Sequence, residues 1–233
     1  MLALTCAQSS APAQAKTATT ITPSFSPDQL GAKGALTLTI AYEGERGLPS
    51  PVRRSVVKLP AGLGLDIPTL RSCSAARLRA HGASGCPTQS QIGSGEALLE
   101  GNAGSQLIAE SVKLWIFLGP LRGFQPTFEV LGQGYTPLEE RIVLAGTVIP
   151  ASAPYGEALA MEAPPVPTVP LEPDASLETL TLTVGARPNR LARGANAVVV
   201  PGSCPVGGFP FATESTYADG SASSDLATAI CPQ

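Results

Sequence analysis

Ala35-Leu-Thr-Leu-Thr-Ile-Ala-Tyr42 and Glu178-Thr-Leu-Thr-Leu-Thr-Val184 decide the fold. In the first, an extended chain places Leu36, Leu38, Ile40 and Tyr42 on one side and Thr37, Thr39 and Ala41 on the other. The second repeats the device, with Leu180, Leu182 and Val184 set against Thr179, Thr181 and Thr183. Alternation with period two is the pattern of a strand that buries one face and wets the other. The two segments are alike enough to predict equivalent strands, although nothing around them repeats.

Outward from these, strands are predicted at 55–59, 96–100, 111–118, 127–131, 141–149, 197–200 and 209–217, most of them bounded by Gly or Pro. This spacing predicts an all-β, immunoglobulin-like sandwich over residues 16–233, built as one large or two packed sandwiches. One segment departs from it. Residues 74–80 are largely helix formers, Ser72 or Ser74 can cap them, and Gly82 stops them, so a short helix is expected there. The stretch 163–170 holds four prolines in eight residues and must be extended. It reads as a possible sub-boundary, either a hinge or a crossing between two layers, and the layered reading is preferred.

Composition supports a folded, turn-rich chain. Of 233 residues, 24 are Gly and 23 Pro, charged residues make up only 14%, and hydrophobic ones 43%. Disorder needs low hydrophobicity and high net charge, whereas here the net charge is −3. That weakly acidic balance excludes a nucleic-acid footprint, which requires clustered Lys and Arg. No stretch reaches the roughly 20 apolar residues of a membrane-spanning helix.

Residues 1–15, MLALTCAQSSAPAQA, read as a truncated secretory leader that ends in Ala13-Gln14-Ala15 before Lys16. Cys6 is then either removed with the leader or acylated, although Leu4 and Thr5 fit a lipidation site poorly. Four cysteines remain, Cys73, Cys86, Cys204 and Cys231, which admit three connectivities. Pairing neighbours closes loops of about 14 and about 28 residues, worth about 3 and about 3.6 kcal/mol in the chain-entropy model. Such pairing belongs to an oxidising compartment. No C-x-x-C occurs and His81 is the sole histidine, so zinc is not expected.

Candidate chemistry is sparse. Ser55-Val-Val-Lys58 matches the Ser-x-x-Lys string of penicillin-interacting enzymes, but that motif needs a helix, and Val56, Val57 and Pro60 predict a strand. His81 lies in a glycine-rich loop, Glu139 and Glu140 are adjacent and would face opposite ways, and neither arrangement builds acid–base catalysis. Asp219, Ser221, Ser223 and Asp225 alternate as in a calcium loop, but Ser224 and Ile230 stand where glycine and glutamate are required, so a hairpin tip is expected. Gly62-Leu-Gly64 and Gly93-Ser-Gly95 lack a phosphate-loop ending and read as turns. No catalytic residue, metal or cofactor is assigned.

Trp115 and Phe117 share one face of their strand, opposite Val112, Leu114, Ile116 and Leu118. Apolar residues on both faces mark a central strand with Trp115 in a core. Were they exposed instead, Trp115, Phe117 and Tyr217 would be the candidate ligand platform. A carbohydrate-binding module would need at least two of Trp115, Tyr42, Tyr135, Tyr155 and Tyr217 on one face.

Leu59-Pro-Ala-Gly-Leu63, Cys86-Pro-Thr-Gln-Ser-Gln-Ile-Gly93, Cys204-Pro-Val-Gly-Gly-Phe-Pro-Phe211 and Tyr217-Ala-Asp-Gly220 resemble a group of uncharacterised secreted actinobacterial β-rich proteins across most of residues 20–233. The resemblance implies export and a β fold, and carries no known activity with it. The functional expectation is therefore a non-enzymatic structural or interaction module, secreted or on the cell envelope, whose partner is a protein or an envelope glycan. The alternative is a carbohydrate-binding module.

Overall fold

The two threonine-alternating segments lie side by side. A computed structural model describes residues 16–45, 47–66, 70–135, 140–168, 172–185 and 198–231. In it Leu36, Leu38 and Ile40 stand opposite Val184, Leu182 and Leu180 in antiparallel register. On the outer face Thr37 bonds Thr183 (2.9 Å) and Thr39 bonds Thr181 (3.3 Å). The same alternation thus supplies a core row and a wet row to one strand pair.

The strands are β1 (Thr17–Ser26), β2 (Lys33–Gly44), β3 (Val52–Pro60), β4 (Gly64–Leu65), β5 (Gln91–Ala103), β6 (Gln106–Leu118) and β7 (Thr127–Gln133). They continue with β8 (Arg141–Pro150), β9 (Tyr155–Glu162), β10 (Ser176–Val184), β11 (Val198–Val199), β12 (Phe209–Tyr217) and β13 (Ala222–Ala229). The protein is all-β and sandwich-like, and its layers are parts of one hydrogen-bonded path. Apart from the two-residue strands β4 and β11, the order is β1-β2-β10-β5-β6-β7-β8-β9-β3-β12-β13, antiparallel throughout. Strands from before and after the proline-rich stretch interleave in it, with β10 between β2 and β5 and β12 between β3 and β13. The expected turn at Gly93-Ser-Gly95 is instead part of β5. A Cβ at either glycine would collide with the Thr183 or Thr181 carbonyl oxygen of β10, so the absence of a side chain lets this pair form.

The ends of the path meet. The Ile21 amide of β1 donates to Asp225 Oδ2 of β13 (2.9 Å), and Thr19, Tyr217 and Ser223 join their hydroxyls in a trio across the same seam. Residues 19 and 21 face 223 and 225, so these two strands run parallel. Inside, Leu, Ile, Val and Phe side chains from both layers form the core. Around Leu38, Leu59, Leu63, Ile116, Val130 and Val198 they enclose an apolar cavity of about 90 Å³. The ribbon of β4 and β11 borders this end, bonded to the start of β2. Toward the other end of β3, Tyr42, Ser55 and Ser215 turn hydroxyls inward. Burial pushes the Tyr42 phenol above its ordinary range, and the facing Ser55 and Ser215 hydroxyls oppose that shift.

Helix α1 (Ala75–His81) forms where expected, capped by Ser74, whose side chain accepts from the Arg77 amide. Cys73–Cys86 closes its loop, and Cys204–Cys231 ties the approach to β12 to the end of β13. Leu78, fully buried, packs with Phe117, Leu131 and Val143 into a second core on the outer face of β6 to β8. Residues 115–118 of β6 are therefore covered on both faces, while Leu107, Ala109, Ser111 and Lys113 on its outer face are exposed. Glu129 lies beneath the first turn of α1 and is only 6% exposed. Its burial raises the carboxyl above the usual range, against the pull of Arg79, Arg122 and the Ala75 amide.

Two outcomes are expected. Asp225→Ala removes the acceptor of the Ile21 amide, which should cost about 1–3 kcal/mol and deprotect that amide in hydrogen exchange, whereas Asp225→Asn keeps an acceptor oxygen and much of the protection. Because the raised Glu129 carboxyl binds its proton more tightly in the folded state, stability falls as pH rises from the ordinary glutamate range through the raised value. Glu129→Gln should therefore melt above the wild type at pH 7, with the gap closing below about pH 4, near the unfolded glutamate value.

Candidate ligand-binding cleft

Beside α1, the outer face of the sheet carries an open cleft of about 370 Å³. Its floor follows from strand register. Lys113, Gln133 and Arg141 form one transverse row over β6, β7 and β8, and Trp115, Leu131 and Val143 form the next. The helix covers Leu131 and Val143 and leaves Trp115 half-buried at its edge. One wall is the end of the disulfide-closed loop, His81 to Ser84, and the other is Tyr135 with Arg141.

Several contacts hold the polar groups in place. Arg141 Nε donates to Gln133 Oε1 (3.2 Å), and its guanidinium lies against Gly82. Gly82 ends α1 at φ +64° and donates its amide to the Leu78 carbonyl. This is a positive-φ position suited to glycine. Lys113 Nζ sits 5.9 Å from the centre of the Tyr135 ring, within cation–π range. Tyr135 is 55% exposed. The cleft thus joins two aromatic rings, a guanidinium, an imidazole, a carboxamide and a hydroxyl, with no carboxylate among its lining residues.

The platform of Trp115, Phe117 and Tyr217 is not assembled. Phe117 is buried beneath α1 in the second core, and Tyr217 is buried in the main core, edge-on to Tyr42 at 6.4 Å. Tyr155 lies half-buried on β9 beneath Lys58. Of the aromatics named for a carbohydrate site, Trp115 and Tyr135 alone line this cleft. The sequence held both names but not their meeting, which depends on the pairing of β6 with β7.

Ser55 faces the interior, while Lys58 pairs with Glu214 on the outside. This is the separation a strand imposes on residues three apart. Ser84 Oγ donates to the His81 main-chain carbonyl (3.2 Å). Asp219 accepts from the Ser221 amide and hydroxyl in the β12–β13 turn, which holds its carboxyl below the usual range, and Ser223 and Asp225 serve the seam. Among the described residues no group of three or more His, Cys, Asp or Glu side chains could hold a metal ion. Glu139 and the leader 1–15 lie outside the described residues. No helix among the described residues is long and apolar enough to cross a membrane. No protein-family model, curated protein or solved structure matches the chain.

Proposed function

We propose that the protein is a non-catalytic binding module that takes a saccharide in the Trp115–Tyr135 cleft, and that it acts outside the cytoplasm, secreted or at the cell envelope. The observation that carries this reading is the meeting of two aromatic rings with donors fixed in one cleft. Sugar rings present C–H faces that pack on aromatic rings and hydroxyls that pair with planar donor groups. Arg141, oriented by Gln133, supplies such a donor here, and the Ser84 oxygen, whose proton goes to the His81 carbonyl, is left to accept. The two disulfides support an oxidising location. Placement of Ser55 and Lys58 on opposite sides of β3 argues against the hydrolase suggested by their spacing.

Co-sedimentation of the oxidised protein with cell envelopes tests this, run before and after enzymatic removal of their glycans. Binding should be lost on stripping. Tyr135→Ala should weaken it by about threefold to tenfold, the value of one aromatic contact, and Arg141→Gln should weaken it as well. Tyr155→Ala, on β9, should leave it unchanged. Binding that survives stripping would assign the surface to a protein partner.

A further inference from the structure

Glu110 does not belong among its neighbours. It shares the inward face of β6 with Ile108, Val112, Leu114, Ile116 and Leu118, is 8% exposed, and its Oε1 is buried without a hydrogen-bond donor. A carboxylate oxygen buried without a donor is costly to keep. Two cavities meet at it, of about 90 and about 20 Å³, both lined also by Leu99 and Val166. The first adds Ile108, Thr168 and Glu100, the second Val112 and Glu140. Neither has a lysine, arginine or histidine among its lining residues.

The roof is the proline-rich strap. Ala163 donates its amide to the Arg53 carbonyl (2.8 Å), Arg53 pairs with Asp174 (2.9 Å), and the Val166 carbonyl accepts from the Ala175 amide (2.8 Å). Thr168 lies against Gly101, where a side chain at 101 would displace it. The strap thus runs from β3 to β5 and holds Val166 over Glu110.

We infer that this chamber is a binding site for a primary ammonium group on a short aliphatic chain, with Glu110 as its counter-ion. An apolar chamber selects the alkyl chain, and the carboxylate buried in it selects a cation that donates hydrogen bonds. Size limits the chain. A cavity of about 150 Å³ accepts benzene, so a smaller one suits about four carbons. A free alkylamine and a lysine side chain both meet this description. The chamber is distinct from the cleft beside α1 and does not depend on what that cleft binds.

The test is an NMR titration of the oxidised protein with 1-butylammonium chloride, with Nα-acetyl-lysine methylamide, and with 1-butanol and sodium chloride as controls. The site predicts saturable shifts of the Leu99, Glu110 and Val166 amides with one or both amines. Tighter binding of butylammonium marks a free amine as the ligand, and tighter binding of the lysine amide marks a peptide. Glu110→Gln should weaken the amine by at least about tenfold, as expected when a buried charge loses its partner, while melting no lower than the wild type. Val166→Phe, which fills the chamber and keeps the carboxylate, should also abolish binding. Equal shifts with butanol, no response to either amine, or a Glu110→Gln variant that still binds would each overturn the assignment.

Discussion

The eleven long strands among the described residues, joined antiparallel, cannot close on themselves with an antiparallel ladder, because the first and last then point the same way. This parity governs the molecule. The first and last strands, β1 and β13, do meet, and side chains make the junction: Asp225 accepts the Ile21 amide, and Thr19, Tyr217 and Ser223 pool their hydroxyls. Unpaired strand edges invite other chains, so the side-chain seam also shields both edges. It requires a polar interior on that side, where Thr19, Tyr42, Ser55, Thr213, Ser215 and Tyr217 are all buried.

The interior is consequently uneven along its length. Toward β4 and β11 it is aliphatic, and Leu63 and Val198 pack against the rows from β2, β6 and β7. Toward the strap it carries hydroxyls and Glu110. A sheet that must bury its edges sideways still has two open ends, and short irregular segments cover them. At one end two-residue strands suffice, since aliphatic side chains fill the space. At the other, proline-rich chain spans the gap with few main-chain donors of its own to satisfy, and it covers the chamber incompletely.

Much of this was legible in period-two patterning, and the parts that were not share a cause. Strands β2 and β10 are read directly from their alternation, and β3, β5 to β8 and β12 from β-rich or apolar runs, most of them bounded by Gly or Pro. Strand β1 hides behind Pro23 and a run of Thr and Ser, β9 is rich in alanine and begins at Tyr155-Gly156, and β13 alternates Ser and Asp with Ala and Leu, so that it reads as a polar turn. Strands β1 and β13 lie at the seam and β9 is paired on both sides by β3 and β8, so tertiary neighbours replace the apolar contrast that a sequence displays. Glu110 left a trace in the sequence. From Ile108 to Leu118 every second residue is apolar except this one, so the alternation that marks the strand also marks the misfit. The cleft left less, since no local pattern brings Tyr135 to Trp115.

The disulfides sit where the sheet cannot hold itself. Cys204–Cys231 fixes the far end of β13, whose only main-chain ladder among the described residues is to β12, and so limits the freedom of the strand that must present Asp225 and Ser223 to β1. Cys73–Cys86 closes a segment whose helix has just seven residues, too short to persist on its own. That segment buries Phe117 and Leu131 and supplies one wall of the cleft. Reduction would lower the stability of the whole fold, since each crosslink acts on the unfolded chain, and would free the segments next to the seam and the cleft. Oxidation therefore belongs to the architecture of the seam and of the cleft alike, through the entropy each crosslink removes from the unfolded chain.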